Sequence, residues 1–251
     1  MPIHTPTQPN ATDAATKSYV DSGRTSFRSD YIIAELGVNH NGLLSMALKL
    51  VDKAKAAGAD AIKIQSYIPN KLVDSNANMT AYQRKNTNSK IAQIELLKKY
   101  VLSHTEQKKI FDYCKKKKID FISSPFDIES LFFLKKKLKI NLVKIASGEL
   151  TNSLLLLNAA RNFKKIILST GMSTLKEIEI AIKTIYWGIK FKKAVPKSHK
   201  EIDSIEIDEF KIKSKVYLLH TISDYPAKIK DLNIRFITTL KKKFGLTVGF
   251  S

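Results

Sequence analysis

The sequence predicts an α/β protein built as a (β/α)8 barrel of the TIM type, incomplete, with about seven of its eight strands present. Three observations predict it. Short apolar runs of strand character alternate with amphipathic helical stretches from Tyr31 onward, which argues for a parallel sheet. The strand-to-helix turns carry neither a G-x-G-x-x-G pattern nor a phosphate-loop lysine motif, which disfavours a doubly wound nucleotide-binding fold. Polar groups collect at the C-terminal ends of the strands, where a barrel gathers its active site.

The elements follow in order. Residues 1–29 are rich in Thr, Ser, Pro, Asn and Asp and predict a flexible N-terminal arm; residues 30–251 predict the barrel domain. Strand one is Tyr31–Ala34. Glu35 stands where its apolar run ends, and Asn39, His40, Asn41 and Gly42 form the turn. A helix over Leu44–Ala57 carries Leu44, Ala47, Leu48, Val51 and Ala54 on one face, and Gly58 closes it. Strand two is Ala61–Gln65. The long polar connection from Ser66 to about Ser89 is a candidate functional loop. A helix around Ile91–Tyr100 precedes one opened by Ser103 and Glu106, which have capping-box spacing.

Strand three is Asp120–Ser123, with a helix from Asp127. Strand four is Asn141–Ile145, with a helix over Ser153–Ala160. Strand five is Lys165–Ser169. Thr174 and Glu177 cap the helix after it, which is expected to end near Tyr186. The charged stretch from about 190 to 215 interrupts the rhythm and predicts a surface insertion. Strand six is Val216–His220, a helix spans Asn233–Phe244, and strand seven is Leu246–Phe250. Without an eighth strand, strands one and seven each keep an unpaired edge.

Composition narrows the function classes. No apolar run approaches the roughly 20 residues of a membrane helix, and no secretory leader is apparent. The lone Cys114 excludes an internal disulfide framework and fits a reducing, cytoplasmic setting. The formal charge of +20 arises from 43 Lys and Arg against 23 Asp and Glu. The runs Lys115–Lys118, Lys135–Lys137 and Lys241–Lys243 fall near helix ends, where the helix dipole favours cations. No nucleic-acid motif or interleaved aromatic series accompanies them, so they read as solvated helix ends, with neither nucleic acid nor membrane expected as a partner. A positive field still favours an anionic substrate.

The candidate site residues come from the strand ends. They are Glu35, Asn39 and His40 from strand one, Lys63 and Gln65 from strand two, and Ser123 and Ser124 from strand three. Strand four adds Lys144, Ser147 and Glu149; strand five, Ser169 and Thr170; strand six, His220, Thr221, Ser223 and Tyr225. A lysine ending an otherwise apolar strand is costly to bury unpaired, so Lys63 and Lys144 stand out. Two lysines beside several hydroxyls suit a phosphate and a carboxylate. Serines and threonines at strand ends also serve as helix caps, so their convergence counts for more than any one of them.

Five segments resemble the sialic acid synthase family, which includes N-acetylneuraminate, pseudaminic and legionaminic acid synthases. They are I-I-A-E-L-G-V-N-H-N-G (Ile32–Gly42), A-I-K-I-Q (Ala61–Gln65), F-I-S-S-P-F-D (Phe121–Asp127), V-K-I-A-S-G-E-L-T-N (Val143–Asn152) and I-L-S-T-G-M (Ile167–Met172). L-L-H-T-I-S-D-Y-P-A (Leu218–Ala227) and V-G-F-S (Val248–Ser251) extend the likeness.

The resemblance implies condensation of phosphoenolpyruvate with an N-acylated hexosamine to form a nine-carbon sugar acid. It implies that Lys63, Lys144, Ser124, Ser147 and Ser169 hold phosphoenolpyruvate, that Ser223, where some members have asparagine, contacts substrate, and that Ser251 lies near the phosphate. Tyr225 would lie between the two substrates. Glu35 and Gln65 would face the sugar, with Glu35 assisting aldehyde formation or proton transfer. A divalent metal, manganese or magnesium, is implied, but the family's two histidine ligands are absent from this chain. His40 and His220, which residue type alone would suggest as a metal pair, are implied to be structural.

The family's small C-terminal antifreeze-like domain is also absent. This predicts little or no turnover by this chain alone, and a homodimer or a complementing C-terminal fragment as its partner. The alternative is an inactive barrel used as a binding or structural module. Ala11–Ser22, which resembles a linker of phage tail-fibre proteins, would then point to a phage association.

Overall fold

The computed structural model describes residues 30–72, 93–223 and 227–251. The first half contains β1 (Ile33–Gly37), α1 (Leu44–Ala56), β2 (Ala61–Ser66), the one-turn α2 (Pro69–Leu72), α3 (Gln93–Tyr100), α4 (His104–Lys117), β3 (Asp120–Pro125) and α5 (Ile128–Lys136). The second half contains β4 (Leu142–Ile145), α6 (Ser153–Asn162), β5 (Lys165–Ser169), α7 (Leu175–Lys190), α8 (His199–Asp203), α9 (Glu209–Lys213), β6 (Val216–His220), α10 (Phe236–Phe244) and β7 (Thr247–Phe250). The arm at 1–29, most of the connection after β2, and Tyr225 lie outside the described residues.

Every strand ladder is parallel, as expected of βα units whose helices cover the sheet. The order is β1-β2-β3 in one sheet and β4-β5-β6-β7 in the other. The two sheets abut where β3 lies against β4. The curved wall they form is of the α/β-barrel type and is not closed. Among the described residues, β1 and β7 each have a ladder partner on one side only.

The helices begin where the sequence says they should. Ser103 and Glu106 cap α4 reciprocally: Ser103 Oγ accepts from Glu106 N at 3.2 Å, and Glu106 Oε2 accepts from Ser103 N at 2.8 Å. Thr174 and Glu177 do the same for α7, at 3.2 and 2.7 Å. Such caps satisfy amide groups that the first turn leaves free, and each contributes about 1 kcal/mol. Helix α7 extends to Lys190, beyond the expected end at Tyr186, because the buried stripe of Ile178, Ala181, Ile182 and Ile185 continues through Gly188, which packs closely on Leu157 and Ala160 of α6, and the partly buried Ile189. Truncating Ile182 to Ala there would cost about 2–5 kcal/mol.

The stretch read as a surface insertion folds as α8 and α9. It is charged outside, but Ile202, Ile205 and Ile212 are buried and α8 and α9 pack on α7. Three isoleucines spaced among lysines were too sparse to register as a helical period.

The core has two layers, and they decide where the polar strand residues point. Ile62, Ile64, Val143, Ile145, Ile166, Leu168 and Leu218 join the helices in one large apolar cluster. Ala61, Ile122 and Ile167, with Ile33, Leu142, Tyr217 and Leu219 against them, form a small cluster made of strand residues alone. Strand side chains alternate between faces. The second cluster is therefore the inner face of the wall. Glu35, Lys63, Gln65, Ser124, Lys144 and Ser169 lie at the same parity, nearer the strand C-termini.

Candidate active site

Glu35 is opposite Lys63 in the β1–β2 ladder, and their side chains form an ion pair. The pair is asymmetric: Lys63 is buried and the Glu35 side chain is half exposed. Register slips at Leu36, between Glu35 and Gly37, so β1 bulges just beyond Glu35. The turn that follows closes on itself. His40 is buried, and its Nδ1 accepts from Gly42 N at 3.1 Å. Burial lowers the His40 pKa, against a bond to the Gly37 backbone that raises it.

Lys144 stands on β4 opposite Ile167 of β5 and is only 9% exposed. Its pKa falls to about 8 because burial penalises the ammonium and Lys63 repels it, while Glu35 acts in the opposite direction. Lys63, Lys144 and Glu35 therefore share one electrostatic environment, with two cations and one carboxylate. That leaves room for an anion.

The hydroxyls beside them also lack partners. Ser124 Oγ and Ser169 Oγ are buried and have no hydrogen-bond partner among the described residues. A buried hydroxyl left unpaired costs about 1–3 kcal/mol, so two such groups at the parity of two buried lysines are a notable expense for an empty wall. Ser147, in the 3-10 turn Ser147–Glu149 after β4, and Ser223, beyond β6, come together over Gly171. A Cβ at Gly171 would meet Ser223 Oγ at 2.7 Å, Ser147 Oγ at 3.0 Å and the Thr221 carbonyl at 3.0 Å. Only glycine leaves that close approach open. The need for Gly171 was not drawn from its sequence motif, because nothing local marks which loops will meet there.

Ser123 and His220 face away from this wall. Ser123 points to the helix side, where Ser66 Oγ lies 2.6 Å from both Ser123 Oγ and Gln107 Oε1 of α4. His220 lies on the same helix-facing parity. Its Nε2 is 2.7 Å from the Leu232 carbonyl and its ring meets Phe236 and Phe250 edge-on or tilted. Glu149 accepts from Asn152 Nδ2 at 2.7 Å, and Asn152 caps α6. Ser251 is exposed, with its backbone amide bonded to the His220 carbonyl at 2.9 Å.

Among the described residues no three His, Cys, Asp or Glu side chains are grouped to hold a metal ion. His40 and His220 each have a ring nitrogen committed to the backbone. The described residues thus do not fit a divalent ion by themselves, and no chemical step is derived through one.

A cavity of about 360 Å³ opens beside Gly171, between the β5–α7 turn and the connection after β6, lined in part by Thr170, Thr221, Asp231 and Asn233. A larger cleft of about 590 Å³ lies at the opposite end of the strands, near Phe111, Ile119 and Leu138. Lys63, Lys144, Ser124 and Ser169 line neither of these two cavities, so chemistry rather than cavity volume locates the site.

Comparison with known proteins bears directly on this arrangement. The NeuB family pattern matches residues 50–251. The chain belongs to the NeuB family. It is 37% identical over 221 residues to an N,N'-diacetyllegionaminic acid synthase of Campylobacter jejuni, covering 88% of this chain and 59% of that protein. It superposes on the crystal structure of an N-acetylneuraminic acid synthetase from Leptospira borgpetersenii, in complex with citrate, with a TM-score of 0.68 and 31% identity, covering 88% of this chain and 64% of that one. A truncated 3-deoxy-D-arabino-heptulosonate 7-phosphate synthase from Thermotoga maritima shares the fold alone, at 12% identity and a TM-score of 0.54. The chain therefore spans about three fifths of the length of these synthases. Among the described residues, no helix of this NeuB-family chain is long and apolar enough to cross a membrane.

Proposed function

We propose that this chain binds phosphoenolpyruvate and belongs to a sialic-acid-type synthase that condenses it with an N-acylated hexosamine. The observation that carries the reading is the pair of buried, unpartnered hydroxyls of Ser124 and Ser169 at the same strand parity as buried Lys63 and Lys144. Phosphoenolpyruvate presents a phosphate and a carboxylate on a small planar body. Two ammonium groups and several hydroxyl donors match its charge and its acceptors.

In this reading Lys63 and Lys144 neutralise the substrate, and Ser124, Ser147 and Ser169 donate to its oxygens. Ser251 would stand nearer the phosphate, and Ser223 would contact the substrate. Glu35 and Gln65 face the hexosamine, and Tyr225 would separate the two substrates. C3 of phosphoenolpyruvate forms the new bond to the aldehyde carbon of the open-chain sugar. Water adds at C2, and the C2–O bond to phosphate breaks to leave the keto acid. The water that adds at C2 gives up the proton that the aldehyde oxygen takes up, and the Glu35 carboxylate would relay it between them. The chain's contribution is positioning and charge stabilisation.

The relatives are named for different sugar acids, so the acyl pattern of the hexosamine stays open. Metal binding is assigned to none of these residues. Binding of phosphoenolpyruvate is therefore expected of this chain, whereas phosphate release with manganese and N-acetylmannosamine is expected to be slight. Titration calorimetry tests the central claim: phosphoenolpyruvate should bind the wild-type chain, and Lys144→Ala should abolish the signal. No heat with the folded wild type would sink the reading.

A further inference from the structure

The lysine runs are not absorbed by the site. In a parallel β/α wall each helix returns against its strand, so helix C-termini and strand N-termini share one end. This is the end opposite Lys63, Ser124 and Lys144. Lys116, Lys136, Lys164, Lys193, Lys213 and Lys242 each follow or close a different helix there, and all are exposed. Their neighbours in the runs Lys115–Lys118, Lys135–Lys137 and Lys241–Lys243 add to them.

Helix-dipole compensation does not account for this surplus. A helix C-terminus carries about half a negative charge, which one cation more than offsets. Three or four lysines per helix end leave a net positive face. The nearby carboxylates, Asp52, Asp60, Asp112, Asp120 and Glu209, keep their charge but are outnumbered by the lysines. Asp52 is held by Lys117 at 2.6 Å and by Tyr113, Asp120 accepts from Tyr31 Oη at 2.6 Å, and Asp60 accepts from Ile32 N at 2.7 Å. Glu209 pairs with Lys213 at 2.6 Å.

We propose that this lysine-covered end of the barrel, remote from the candidate active site, docks electrostatically on an anionic lipid surface. The choice among polyanions rests on the chemistry of the face. It is built from lysines, which act as point charges and need no set geometry, whereas nucleic-acid readers rely on arginine forks and exposed stacking rings. Among the described residues Arg161 is the arginine at this end; its Nη2 donates to the carbonyls of Phe191 and Ala194 and its Nε is buried. Phe111 and Phe132 lie under Lys115 and Lys136, while the exposed Tyr31 and Phe210 lie on separate segments, before β1 and in α9. Several helix ends distributed over one face can all meet a planar membrane at once, and clustered lysines are the recognised signature of anionic-lipid attraction. The attraction is peripheral and inserts no apolar segment.

Co-sedimentation with vesicles tests it. The chain is expected to pellet with phosphatidylcholine vesicles containing phosphatidylglycerol, to remain in solution with pure phosphatidylcholine, and to be released by raised salt. The triple variant K116Q/K136Q/K242Q should weaken the association at least about tenfold. K99Q/K228Q/K230Q removes the same charge from lysines outside this face and should weaken it far less. Equal loss in the two triples would show a net-charge effect and overturn the assignment. So would retention on neutral vesicles, or duplex DNA that displaces the chain from the lipid and binds it more tightly.

Discussion

Glu35 and Lys63 face each other across the β1–β2 ladder as an ion pair with one buried and one half-exposed member. Glu35 supplies a counter-charge to the buried Lys63 side chain. The carboxylate also reaches outward, where a second substrate would arrive. Glu35→Gln is expected to lower stability by about 1–2 kcal/mol, discounted for the exposure of Glu35. It should also lower the Lys144 pKa further, since Glu35 opposes its depression. Urea unfolding of the variant against wild type checks the first effect; an unchanged midpoint would mean that solvent alone satisfies Lys63.

Lys144 makes the site sensitive to alkali. It should bind an anion as an ammonium, and its pKa lies at about 8 against an ordinary 10.5. Phosphoenolpyruvate affinity should therefore hold below pH 8 and fall by up to about tenfold per pH unit above it. Binding should take up protons near pH 8, seen as a dependence of the calorimetric heat on buffer ionisation enthalpy. A flat affinity from pH 7 to 10 would rule out this role for Lys144.

The same residue contributes to stability with a definite sign. Between about pH 8 and 10.5 the unfolded chain holds a proton on Lys144 that the folded chain has lost, so stability rises with pH across that window. Below pH 8 both states are protonated and the full cost of burying the charge, about 3 kcal/mol, is present. Lys144→Met should remove this cost. The variant should unfold at higher denaturant than wild type at pH 7, with the difference shrinking by pH 10.

Gly171 should tolerate nothing larger. Gly171→Ala places a methyl against Ser147, Ser223 and the Thr221 carbonyl, the last of which cannot rotate away. It is expected to cost about 1–3 kcal/mol and to weaken phosphoenolpyruvate binding. Gly148→Ala, where nothing lies within 4 Å, is the matched control and should be near neutral. Equal thermal shifts in the two variants would contradict this geometry.

The helix-side network should be structural. Gln107 is fully buried, joined to Ser66 at 2.6 Å and to the Leu102 carbonyl at 2.8 Å. Gln107→Leu leaves Ser66 without its acceptor and should destabilise by about 1–3 kcal/mol. Chemical denaturation measures it, and a change below about 0.5 kcal/mol would mean the serines re-pair between themselves.

The sequence by itself determined the alternation of strands and helices, both capping boxes and the two lysines that end apolar strands. Each is a local signal: a period, a three-residue spacing, a charge where burial is costly. It did not reveal the packing of α8 and α9, whose isoleucines are thinly spread among charges. Nor did it show Gly171 under two serines from separate loops, a convergence set only by strand order. Ser123 and Ser124 make the difference plain. Adjacent and chemically identical, they stand on a strand covered on both sides, where the pattern of apolar residues does not tell inside from outside. Tertiary structure alone turns Ser123 toward Gln107 of α4 and leaves Ser124 on the lysine side, buried and with no partner among the described residues.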